Sequence, residues 1–155
     1  MISSKSIYLL PGHIAVVCEP AQISTILGSC VAIALQDRVA GISGLNHYLL
    51  PEVLPGEKPT PRYGNYSISF MIENMLQLGA KKNRLQAKIY GGANVLEGVA
   101  IGKNIGEKNV QMAEFYMSEM GIPVLEKNVG GEIGRKILFH TQEFQVLHKF
   151  MKSAA

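Results

Sequence analysis

The chain has 155 residues, 47% of them hydrophobic and 17% charged, with a formal net charge of +3, a balance that suits one domain with its own apolar core. The charge is mild and no dense Lys/Arg stripe accompanies it, which argues against a nucleic-acid partner. Two cysteines without a Cys-x-x-Cys pair and four scattered histidines (His13, His47, His140, His148) argue against a zinc site.

In chain order, residues 7–10 and 13–18 read as short strands broken at Pro11-Gly12. This apolar stretch has neither the layout of a signal peptide nor the length of a membrane span, so a cytoplasmic protein with reduced thiols is expected. "CVAIAL" (30–35) and "GISGLNHYLL" (41–50) read as two further strands around a polar turn, "QDRV". Residues 51–62 hold four of the seven prolines and read as a surface loop. Over 65–78 the spacing predicts a helix with Ile68, Met71, Ile72, Met75 and Leu76 on one stripe and Gly79 as its stop. A basic cluster, Lys81, Lys82 and Arg84, reads as a solvated helix end and loop. "QAKIYGG" (86–92) reads as a strand, and 107–120 as a second helix with Val110, Ala113, Met117 and Met120 inward. "IPVLEK" (122–127), the loop 128–134 and strands near 136–140 and 144–150 complete the chain. Neither glycine cluster has the spacing of a phosphate- or dinucleotide-binding loop, and no cofactor is expected. Many strands with two helices predict a mixed, layered α/β fold.

One pair of residues stands out. Small residues Gly28 and Ser29 lead directly into Cys30 at the mouth of a strand. If the hairpin turns between Arg38 and Val39, Cys30 faces His47, and directly opposed residues have Cβ atoms about 4.5–5.5 Å apart on one face. Val31, Ile33, Leu35 and Ile42 then share the bulky apolar face, while Cys30, Ala32, Ala34, Ser43, Leu45 and His47 share the other. An imidazole beside a thiol can take its proton and stabilise the thiolate as an ion pair, and the thiolate can attack a carbonyl carbon. Backbone N–H groups at the Gly28-Ser29-Cys30 entrance would hold the resulting oxyanion. A third group usually orients such an imidazole, and Ser24 or Thr25 can supply an oxygen. The competing reading makes Cys30 a small buried hydrophobe, the reading retained for Cys18.

The ordered set "LGSCVAIAL", "GLNHYLLP", "RYGNYSISFMIENMLQLGA", "LQAKIYGGANV", "IGEKNV" and "NVGGEIGRKILF" resembles the chemoreceptor glutamine deamidases, the CheD family, along most of the chain. The resemblance implies one deamidase domain over residues 1–155, folded as an α+β three-layer α-β-β sandwich with mixed, largely antiparallel sheets. It implies conversion of glutamine side chains on methyl-accepting chemotaxis receptors to glutamate through a thioester, with methylesterase activity in some members and a CheC-like phosphatase as partner. Carried over by position, Cys30 is the nucleophile and His47 the general base. The family's third residue, a threonine six positions before the cysteine, falls on Ser24, with Thr25 next to it. Ile26 stands where the family tends to have glycine, and Asn128 where it often has aspartate. The alternative function is a weakly catalytic or non-catalytic module that docks a CheC-like phosphatase or a receptor helix.

Overall fold

The computed structural model describes residues 4–95 and 104–152. It contains two sheets and two helices. A four-stranded sheet is ordered β1 (Lys5–Tyr8), β3 (Ala21–Leu27), β8 (Arg135–His140), β9 (Gln145–Phe150); a five-stranded sheet is ordered β2 (Ile14–Val17), β5 (Ile42–Asn46), β4 (Val31–Asp37), β6 (Leu85–Gly91), β7 (Val124–Val129). The pairs β1–β3 and β6–β7 are parallel and the other neighbours antiparallel. Helices α1 (Gly64–Gln77) and α2 (Ile105–Met120) cover the outer face of the larger sheet. The order of layers is helices, five strands, four strands, which agrees with the sandwich expected. No described helix is long and apolar enough to cross a membrane.

The alternation along β4 assigns its two faces. Val31, Ile33 and Leu35 pack against Ile68, Met71 and Met75 of α1 in the core beneath the helices, all fully buried. Each such side chain contributes roughly 1.5–3 kcal/mol by leaving water. Ala32 and Ala34 face the other way, into a second core between the sheets with Ile23, Leu27, Leu45 and Phe139. Their small size lets the two sheets approach. Both helices end as the sequence predicts. Gly79 and Gly121 take left-handed φ values of +117° and +67°. The N–H groups of Ala80 and Ile122 reach back to Met75 and Met117, closing each helix with a buried apolar residue. Residues 101–110 read from the sequence as a loop into a helix N-terminus; of these, 101–103 lie outside the described residues, and α2 begins at Ile105.

Three expectations need correction. β3 occupies residues not assigned to any element from the sequence. Its inward positions hold Ala21, Ile23, Thr25 and Leu27, but Thr25 is polar and the outward Ile26 is apolar, which blurs the period-two pattern. The β4–β5 hairpin is shifted by two residues from the expected register: Asp37 pairs with Ile42 and Ala34 with Leu45. The cause is Asp37, which is the last strand residue rather than part of the turn. Its Oδ1 accepts the N–H groups of Val39 and Ala40 at 3.0 Å, and Gly41 closes the loop at φ +70°. Arg84, expected to be solvated, forms a 2.9 Å ion pair with the buried Asp37 carboxylate. Burial alone would raise that carboxyl; hydrogen bonds from Ala40, Lys81 and Arg84 outweigh it and hold its pKa below the usual value.

Arg135 is buried at 1% exposure and, among the described residues, has no acidic partner. Its guanidinium donates to the backbone oxygen and Oδ1 of Asn128, each at 2.5 Å, and to the Gly130 carbonyl, so it folds the 128–134 loop over itself. A carboxylate at 128 would accept the same bond and supply the missing charge. Asn128→Asp is therefore expected to raise stability by about 1–2 kcal/mol, measured as a higher urea midpoint with an unchanged m-value.

Candidate active site

Cys30 lies immediately before β4, and His47 immediately after β5. Between them, Val31 and Tyr48 exchange two backbone hydrogen bonds, of 3.1 and 3.0 Å. With Val31 opposite Tyr48, Cys30 and His47 are not directly opposed, as the expected register had them, but stand on the diagonal of that pair. Diagonal neighbours lie about 7–8 Å apart, within reach of long side chains. A shift of two residues preserves side-chain direction, so both still face the space between the sheets.

The ladder opens at His47 for a visible reason. The Ile33 N–H donates to the side-chain Oδ1 of Asn46 at 2.7 Å, and the Asn46 amide donates onward to Ser67 of α1 at 3.1 Å. The His47 carbonyl points away from β4, and it accepts the Gly12 N–H at 2.7 Å. The Pro11-Gly12 turn grips the histidine backbone from the other side.

Of the two hydroxyls left open by the sequence, Thr25 is the one that meets the histidine. Ser24 sits on the outer face of its sheet, between Tyr8 and Leu138. Thr25 Oγ1 lies 2.7 Å from His47 Nδ1 and 2.7 Å from the Leu9 carbonyl oxygen. A hydroxyl has one proton, and a carbonyl can only accept. The Thr25 proton is therefore committed to Leu9, and Thr25 Oγ1 accepts from His47 Nδ1–H. This assigns the histidine tautomer: Nε2 carries the lone pair. That nitrogen is buried and, among the described residues, has no hydrogen-bond partner.

The electrostatics differ from the expected ion pair. Burial pushes the Cys30 thiol up to about 11, against a smaller opposing effect of its own backbone N–H, and burial brings the His47 imidazole down to about 4. At neutral pH both groups rest uncharged, with no hydrogen bond joining them. A neutral imidazole can take a proton from a neutral thiol as the sulfur attacks a carbon, without a prior ion pair.

At the entrance, three consecutive carbonyls are occupied. Gly28 accepts from Ala93 N–H at 2.9 Å, Ser29 from Asn109 Nδ2 at 2.9 Å, and Cys30 from Gly92 N–H at 2.8 Å. No backbone carbonyl of the described residues accepts from the N–H groups of Gly28, Ser29 or Cys30. The close passage of β6 requires glycine at 91, where a Cβ would collide with the Cys30 carbonyl oxygen. Asn109 was not singled out from the sequence; the available signal was a polar residue amid the inward stripe of α2.

Cys18, given the unremarkable reading, is exposed and lies away from this arrangement, beside Glu19 and Arg38. Among the described residues no His, Cys, Asp and Glu side chains gather into a metal-binding cluster.

Removing the Thr25 hydroxyl should release the ring. Thr25→Val is expected to lower turnover about 10- to 100-fold, within or below the range that general-base catalysis itself supplies, while Thr25→Ser retains most activity. Steady-state kinetics of the two variants side by side make the comparison.

A thiol and an imidazole stand on one sheet, with a hydroxyl from the facing sheet holding the imidazole. The family described as CheD chemotactic sensory transduction matches residues 49–150. A protein of Anaeromyxobacter dehalogenans named "Probable chemoreceptor glutamine deamidase CheD 1" is 42% identical over 88% of this chain and 80% of its own length. Proteins named "Probable chemoreceptor glutamine deamidase CheD" from Laribacter hongkongensis and Trichlorobacter lovleyi are each 38% identical, over 93% and 92% of this chain and 71% and 89% of their own lengths. The chain belongs to the CheD family.

Proposed function

We propose that this protein, acting as a single domain over residues 1–155, hydrolyses glutamine side chains of chemoreceptors to glutamate. The printed names of its relatives support the substrate class. The observation that carries the chemistry is the Thr25 hydroxyl, whose proton is committed to Leu9, so that His47 keeps Nε2 as a bare acceptor near Cys30.

In the first half-reaction Cys30 Sγ bonds to the carboxamide carbon while His47 Nε2 takes the thiol proton. The tetrahedral oxyanion is met by the N–H groups of the Gly28-Ser29-Cys30 entrance. His47 returns the proton to the leaving nitrogen, the C–N bond breaks, and ammonia departs, leaving a thioester. In the second half-reaction His47 takes a proton from water as the oxygen attacks the thioester. Collapse expels the sulfur, which recovers the proton, and glutamate is released. No external oxidant or cofactor enters the balance. The same steps with methanol leaving describe a receptor methylesterase activity. The sequence resemblance adds a CheC-like phosphatase as partner, and the location proposed, as expected from the sequence, is the cytoplasm.

The test is incubation of the full chain with glutamine-bearing chemoreceptor fragments. Mass spectrometry follows Gln-to-Glu conversion and a coupled assay follows ammonia; equimolar release of ammonia is expected. Binding of the fragments without any conversion favours the docking-module reading instead.

A further inference from the structure

Asn109 is fully buried on the second turn of α2, on the helix layer rather than between the sheets. Its Nδ2 donates at 2.9 Å to the carbonyl of Ser29, the residue before the thiol, and at 2.9 Å to the carbonyl of Leu49, two residues after His47. Its own backbone oxygen accepts the Tyr48 hydroxyl at 2.5 Å. Both amide protons are spent on the two strand ends that carry Cys30 and His47, while Oδ1 is buried with no partner among the described residues. An orphan acceptor of this kind costs free energy, so packing alone gives no reason for an asparagine here.

The Ser29 carbonyl and the Cys30 N–H belong to one peptide group, and in a planar trans peptide they point in opposite directions. Pulling the carbonyl toward α2 turns the N–H away from the helix, toward the side of the sheet on which the Cys30 sulfur lies. The flanking carbonyls of Gly28 and Cys30 are held by main-chain N–H groups, so the middle peptide is the one whose orientation depends on a side chain.

We propose that Asn109 is a positioning residue for deamidation: by holding the Ser29 carbonyl it aims the Cys30 N–H at the oxyanion. The proposal rests on the deamidase reading of Cys30 and His47. It separates two reactions of the same sulfur. Amide hydrolysis passes through an oxyanion, whereas alkylation by iodoacetamide is a direct displacement that develops none.

The experiment compares the full-length chain with Asn109→Ala, measuring kcat and KM on a receptor fragment and the rate of Cys30 alkylation by iodoacetamide. The expected result is a kcat lower by about 10- to 100-fold, approaching the loss of an oxyanion donor, with KM and the alkylation rate each within about twofold of wild type. If Asn109→Ala does not fold, Asn109→Ser is measured in its place, with the same split expected. An unchanged kcat overturns the proposal. So does a kcat that falls in step with alkylation, because that marks a general loosening of the site. Absence of turnover in the wild-type chain sinks the deamidase reading, and the proposal with it, and is distinguishable from both.

Discussion

Cys30→Ala is expected to abolish glutamine conversion, by about 10³-fold or more, and to leave the protein folded. The two halves of that expectation have separate causes. The sulfur forms the only covalent bond to substrate in the proposed reaction, and Cys18, on another part of the surface, cannot replace it. The side chain is only partly buried at the margin of the inter-sheet core, and alanine fills nearly the same space, so little packing is lost. Ammonia release and the far-ultraviolet circular dichroism of one preparation check both halves together. Residual conversion near the wild-type rate would place the nucleophile elsewhere.

His47→Gln carries the second large effect, and it acts in two directions. Turnover should fall by about 10²–10⁴-fold, the value of a general base. Stability at acid pH should rise relative to wild type. Folded His47 accepts a proton only near pH 4, whereas the unfolded chain does so near 6.5. The unfolded state thus binds more protons throughout that window, and wild-type stability declines as the pH falls through it. The full loss, complete below the folded value, is on the order of 3 kcal/mol. Glutamine does not titrate and can keep a polar atom facing Thr25. Urea unfolding at a series of pH values between 7 and 4 should show the wild-type slope and a flatter line for the variant. Parallel lines would mean that His47 is not buried in its neutral form.

The two helices were legible because their apolar residues repeat at helical spacing and their ends carry glycines with a defined task. The faces of β4 and β5 were legible as well, and for a robust reason: the register error was two residues, which leaves every side chain on its correct side. The error itself arose from a local hydrogen bond. Asp37 looks like a turn residue, yet it serves the turn from inside the strand by capping Val39 and Ala40. β3 was hidden because its one polar inward residue, Thr25, is paired across the sandwich with His47, a contact no local pattern can announce. Asn109 was hidden in the same way, since its partners Ser29 and Leu49 lie 80 and 60 positions away.

The hydroxyl that steadies the imidazole comes from a strand whose neighbour, β8, begins only at Arg135. During synthesis the ribosome delivers Thr25, Cys30 and His47 well before Arg135, so β3 lacks that flank until β8 emerges. A growing polypeptide accordingly carries Cys30 and His47 before the strand that bears Thr25 is flanked on both sides, and recovery of enzymatic turnover after dilution from denaturant should trail the return of helical signal.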